Sequence, residues 1–361
     1  MLSRVARKLP PSSPAYIGGV GGFIGFLSAY WDDAYHVDIG RDSPLVPPHI
    51  GVYLSIVMMV TAVALGVARD ADAAGMRLRD LARDPWRRVR PGLIITGASM
   101  LVFTPVALLD IGWHEVYGIE ATIWSPPHVL LYAVSAAATL GLAVLVSPPD
   151  AAHPARSRWY RLLLAGVIAA IVATTAEFEF DVPQYRIAYH PMVVTGAASL
   201  VFVAAAQGPA RWEASIVALW FQAARVASVA MLLMLGRSVP FVPLLLPSAI
   251  AVDLLWRRTT RSPQSTAILS GAAVAVTLVA TNALWLLAFD GLRWEGYDLV
   301  FGLSGSVAVG AVTGVLGHAL GQTLAGPRRE EPDVAAVRRG RAAVAVPPAE
   351  VGARAPGSPT G

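Results

Sequence analysis

Five of the seven histidines in this chain lie in stretches where carboxylates recur at a repeated spacing. The first stretch, Trp31–His49, reads WDDAYHVDIGRDSPLVPPH, and the second, Asp110–His128, reads DIGWHEVYGIEATIWSPPH. Each has an aspartate, a histidine four residues on, a glycine four beyond that and an acidic residue two further, and each ends in Pro-Pro-His. Asp32, His36, Gly40, Asp42 and His49 thus align with Asp110, His114, Gly118, Glu120 and His128, with a one-residue difference between the paired histidines. Five matched positions and a shared ending argue for two copies of one metal-binding hairpin.

The chemistry follows from the spacing. An Asp and a His four apart share one helix face, about one turn from each other. Proline is pre-set for the first helical turn, so each Pro-Pro pair places His49 or His128 at the entrance of the next helix. A short hairpin then presents one carboxylate and two imidazoles to a single point. That set suits a divalent transition metal and leaves positions open for water, dioxygen or substrate. Asp42 and Glu120 stand where they would orient the imidazoles as hydrogen-bond acceptors. A lone Asp-x-x-x-His often does no more than solvate a loop; duplication, and the cost of ionisable groups at membrane depth, argue for use here.

A third stretch, EFEFDVPQYRIAYHP, puts Glu177 thirteen residues before His190, as His36 stands to His49. It lacks Asp-x-x-x-His and reads as a decayed repeat, either a third ligand set or a polar lining for the other two. Gln222 and Arg225 fall inside an apolar run, where an arginine must face the bundle interior. His318 reads as a structural hydrogen bonder and His153 as a solvated loop residue. No P-loop, dinucleotide fingerprint or Ser/His/Asp signature is present.

The elements that position these residues are membrane helices. Of the 361 residues, 55% are hydrophobic, and runs of about 20 apolar residues, enough to cross roughly 30 Å of hydrocarbon, recur along most of the chain. The runs are continuous rather than alternating, which requires helices and excludes a barrel. The expected fold is an all-α polytopic transmembrane bundle of about ten helices, near 15–30, 49–68, 91–110, 127–147, 160–180, 190–207, 213–236, 239–256, 266–289 and 298–320, with an internal helical-hairpin repeat. The organisation reads as a basic leader (1–14), the duplicated hairpins (15–150), a degenerate third hairpin (151–207), further helices (208–325) and a disordered cytoplasmic tail (326–361). The first apolar run is followed by no small-residue cleavage site, so it reads as a retained helix.

Arginine sets the orientation. Seven lie between Arg69 and Arg90, and the loops near 148–161 and 257–261 and the start of the tail are also arginine-rich, whereas the alternate loops hold at most one basic residue each. The positive-inside rule makes both termini cytoplasmic and turns every histidine hairpin outward from a plasma membrane. The net charge is only +4, which gives no reason to expect nucleic acid. Cysteine is absent, which excludes disulfides, thiolate sites, iron–sulfur clusters and covalent haem attachment.

These residues carry a resemblance. Asp32, Tyr35, His36, Arg41, Asp42, Pro47, His49 and Ile50 resemble a metal-binding membrane segment of the copper membrane monooxygenases, the family that oxidises methane, ammonia and short hydrocarbons. Asp110, His114, Pro126 and His128 resemble the second metal segment of the same helical component of those enzymes, with Asp110 where the family has asparagine. The resemblance covers roughly residues 15–150; about six further helices and the lack of a cupredoxin-like part depart from it. It implies copper, ahead of zinc or iron, on Asp32/His36/His49 and on Asp110/His114/His128. It also implies dioxygen-dependent hydroxylation of a small apolar substrate, and association with other monooxygenase-type subunits or with further copies of the chain. Copper uptake, storage or delivery, and a haem or quinone redox role using paired histidines, are the competing expectations.

Overall fold

The computed structural model describes residues 6, 8–40, 45–76, 80, 83, 85–117, 123–147, 154–289 and 296–325. Asp42, Gly118, Glu120, His153 and the whole of 326–361 lie outside these, and with them the expectations placed on the second acidic residues and on the tail.

Among the described residues, ten helices of 13 to 30 residues make up the bundle. They are α1 (Ser13–Ile39), α2 (Pro47–Ala73), α3 (Pro91–Tyr117), α4 (Pro126–Val146), α5 (Pro154–Val172), α6 (Tyr189–Ala205), α7 (Glu213–Met234), α8 (Leu246–Arg258), α9 (Pro263–Phe289) and α10 (Gly296–Ala325). No strand occurs among the described residues. Helix α5 runs on through a 3-10 turn (Ala173–Thr175) into Ala176–Glu179, and a one-turn helix (Pro85–Arg88) precedes α3. Proline is the first residue of α2, α3, α4, α5 and α9, where its missing N–H costs nothing and its fixed φ starts the turn. The chain is a multi-pass membrane protein: seven helices (α2, α3, α4, α5 with its extension, α7, α9 and α10) are long and apolar enough to cross a bilayer. Helix α6 is also apolar but has 17 residues.

Several expected boundaries move: α1 runs on to Ile39 rather than 30 and α3 to Tyr117 rather than 110. Hydrophobicity predicts a helix from 239, yet α8 begins at Leu246 and residues 237–245 are irregular. Pro240 and Pro243 explain this, since each removes an N–H and pushes its predecessor out of the helical region.

Two hairpins, α1–α2 and α3–α4, stand side by side against α5. Helix α5 is the central element, 72% buried over its most apolar window against 22% for α2 and for α10. Helices α6, α9 and α10 form a second packed group, closed by glycines. A side chain at Gly310 would strike the backbone of Gly271 in α9, so these helices approach at backbone distance, as small-residue interfaces in membranes allow. Helices α2 and α3 touch at their arginine-rich ends, where Gly66 meets Leu93 and Gly97 meets Val63.

Candidate metal centre

Each duplicated stretch folds into a convergent set. Asp32 and His36 sit one turn apart near the end of α1, which terminates at Gly40 with φ of 83°, a value glycine adopts without strain. His49 lies in the first turn of α2, its Nε2 3.1 Å from Asp32 Oδ1. Asp110 and His114 occupy the matching turns of α3, and His128 the first turn of α4. Here His128 Nε2 is 3.1 Å from Asp110 Oδ1, and His114 Nε2 is 3.7 Å from Asp110 Oδ2. The two imidazole rings are 5.4 Å apart. In each set one ligand atom per residue lies within 4.8 Å of the others.

Those separations suit a shared ion. Metal–nitrogen bonds of about 2.1 Å in a tetrahedron put neighbouring donor atoms about 3.4 Å apart. The 3.1 and 3.7 Å separations bracket that value. The side chains of Asp32, His49, Asp110, His114 and His128 are between 10% and 23% exposed, so an ion there would be partly shielded from bulk water.

Ser125 caps α4 and holds His128. Its Oγ accepts the His128 backbone N–H at 3.4 Å and lies 3.0 Å from the ring Nδ1. With the Nδ1 side engaged by Ser125, Nε2 is the nitrogen turned toward Asp110, the arrangement in which a ligating imidazole is oriented by its other nitrogen. Val46 occupies the equivalent position before α2 and supplies no side-chain cap.

The degenerate third stretch is placed beside these sets and supports them. Glu177 Oε1 accepts the Ile123 N–H at 2.6 Å, and Trp124 Nε1 donates to the Thr174 carbonyl at 2.7 Å, so the end of α5 pins the segment that leads into α4. His190 faces Glu179 rather than Glu177, with Nε2 3.8 Å from Oε1. Glu179 is the hub of a buried network: its Oε2 accepts from Tyr30 at 3.0 Å and from Arg225 at 2.7 Å, and the Arg225 guanidinium lies 4.0 Å from the Tyr30 ring centre. Arg225, expected to face the interior, is fully buried. This network ties α7 and the end of α5 to α1, two residues from Asp32.

Both ligand sets open onto one chamber of about 590 Å3 between the two hairpins and α5. Asp33 and Tyr132 also line it. The sequence pattern does not single out Asp33, Tyr132, Ser125 or Glu179. The adjacent Asp-Asp and the Glu-Phe-Glu-Phe alternation are visible in it, but only tertiary structure brings them to this end of the bundle. Residues 290–295 of the fifth hairpin lie outside the described residues, while the 236–240 turn docks on α1 through Ser238 and Asp38 (N–H to Oδ2, 2.9 Å).

Comparison of this chain with protein-family models, with curated proteins and with solved structures finds no match.

Proposed function

We propose that this membrane protein holds two copper ions, one on Asp32, His36 and His49 and one on Asp110, His114 and His128. We further propose that it uses them with dioxygen to oxidise an apolar substrate that arrives from the lipid. The observation that carries this reading is the convergence of the same three residue types twice, on equivalent turns of two consecutive hairpins, around one chamber. Charge balance supports it. Among the described residues, the carboxyl groups of Asp32, Asp33, Asp110 and Glu115 line the chamber. Carboxylates away from water need counter-charge, and two divalent cations supply it.

Copper in such a set would supply redox chemistry and a Lewis-acidic position for dioxygen. The chain's own part is positional. Asp110 draws His114 and His128 together and Asp32 holds His49, Ser125 fixes the face that His128 presents, and the Tyr30–Glu179–Arg225 network holds α1 in register. The apolar chamber walls, among them Phe103, Leu131 and Leu163, keep water from the substrate. The arginine distribution supports an extracytoplasmic position for both sets. A copper-handling role is the second reading, favoured by Met59 and Met100 in the chamber wall, whose thioethers suit copper(I).

Purified full-length protein, assayed for bound metal, oxygen uptake and an optical spectrum, separates these. Copper with oxygen uptake that falls in His36→Ala and His114→Ala supports the oxidase reading. Copper without oxygen uptake in any lipid leaves handling, and a Soret band from a histidine-ligated haem contradicts both.

A further inference from the structure

The chamber is long. From the ligand sets it follows α2 from His49 to Met59, α4 from His128 to Thr139 and α3 from His114 to Met100, and on α1 it reaches back to Gly19. At 1.5 Å per residue these stripes span about 15 to 25 Å. The chamber encloses about 590 Å3 along that length. One leaflet's share of a hydrocarbon core about 30 Å thick is about 15 Å, so the chamber is as deep as one extended lipid chain is long.

Its lining changes from one end to the other. Below the ligand sets the walls are Phe26, Met59, Phe103, Leu131, Leu163 and small residues of α1 and α5. Two of the hydroxyls in this part are already committed: Ser135 donates to the Leu131 carbonyl at 2.8 Å and Thr139 to that of Ser135 at 2.9 Å. At the ligand end Asp33 is 8% exposed, lines the chamber, and its Oδ2 has no hydrogen-bond partner among the described residues. A buried acceptor of this kind calls for a donor.

There is also a way in. Helices α2 and α3 meet at Gly66–Leu93 and Gly97–Val63, near their arginine-rich ends. Toward the histidine end, chamber-lining Tyr53 on α2 and Ile111 on α3 are 42% and 48% exposed on the flank of the bundle. The chamber therefore reaches the surface of the bundle at Tyr53 on α2 and Ile111 on α3.

We propose that the chamber binds a single-chain amphiphile with a hydroxyl head. Its unbranched tail lies along the bundle axis, its head donates to Asp33 between the two Asp/His/His sets, and it enters from the lipid between α2 and α3. This replaces the wholly apolar substrate of the reading above by an amphiphile, and depends on that reading only for what happens to the head.

The test uses full-length protein in nanodiscs and a graded series of n-alkanols, with binding read by native mass spectrometry and metal content read on the same samples. Expressed against alkanol dissolved in water, affinity should rise about fourfold per methylene, the factor that about 0.8 kcal/mol per buried CH2 implies, up to a plateau set by chamber depth. Ala165→Leu, deep on α5, should move the plateau to shorter chains, and Ala169→Leu, one turn nearer the ligand sets, should move it further. Asp33→Ala should abolish the preference for an alkanol over its methyl ether and leave the plateau in place. Lipid extracted from the purified protein distinguishes the sources: a free long-chain alcohol or a monoacylglycerol supports the proposal, and a two-chain phospholipid as sole occupant overturns it. Affinity that does not grow with chain length, or a plateau unmoved in both alanine-to-leucine variants, also overturns it. Bound metal with no chain binding sinks this inference alone; chain binding without metal sinks the copper reading and leaves the chamber standing.

Discussion

Ser125 makes the two ligand sets unequal. It engages both the backbone and the ring of His128, whereas Val46, at the same place in the first copy, cannot. Loss of a group that orients a ligating imidazole typically weakens metal binding by about 10- to 100-fold. Ser125→Ala should therefore lower copper affinity of the second set by about that factor and leave the first unchanged, as read by competitive chelator titration; equal weakening of both sets would contradict this. The Glu179–Arg225 pair is fully buried at 2.7 Å. Removing one partner strands a charge, so Arg225→Met should cost about 3–5 kcal/mol, and the Glu179→Leu/Arg225→Met double variant should recover most of it. Reversible denaturant unfolding in detergent checks both, and a double variant as unstable as the single would argue against the pair. The ligand residues are legible in the sequence because their pattern is local and repeated. Ser125, Asp33 and Glu179 are not, because what each does depends on contacts such as Tyr30 to Glu179, 149 positions apart.

Helix ends, more than helix interiors, set this site. Prolines start α2 and α4 so that His49 and His128 fall in the first turn, and Gly40 stops α1 one turn past His36. Apolar runs bounded by proline and glycine make most of the helices readable within several residues. Helix α8 is placed too early because hydrophobicity alone does not register that Pro240 and Pro243 interrupt a run, and α1 and α3 are ended too soon because polar Asp and His residues close the apolar run without closing the helix. Packing between helices is less legible, since a glycine stripe does not name its partner. Gly310 makes its closest approach to Gly271. Gly310→Leu should force α9 and α10 apart at a cost above the usual range of about 1–3 kcal/mol for overpacking, because backbone rather than side chain stands in the way. Loss of the monodisperse peak on size exclusion checks it, and an unaltered peak with unaltered unfolding would count against the close approach.

The whole molecule divides its chemistry by side. Among the described residues most arginines lie at the end away from the histidine sets, from which the positive-inside rule predicts an outward position for those sets. The chain has no cysteine, so single cysteines report topology cleanly. Leu45→Cys, 75% exposed before α2, should react with an impermeant maleimide in intact cells, and Trp86→Cys, 76% exposed before α3, only after permeabilisation; labelling of both from one side would contradict the orientation. The most direct measurement is the metal-to-protein ratio of the purified chain by elemental analysis, beside the paired variants Asp32→Ala/His36→Ala and Asp110→Ala/His114→Ala. Two copper ions per chain, falling to one in either paired variant and to none when all four changes are combined, is the predicted result. A ratio that is the same in wild type and in the combined variant would contradict it.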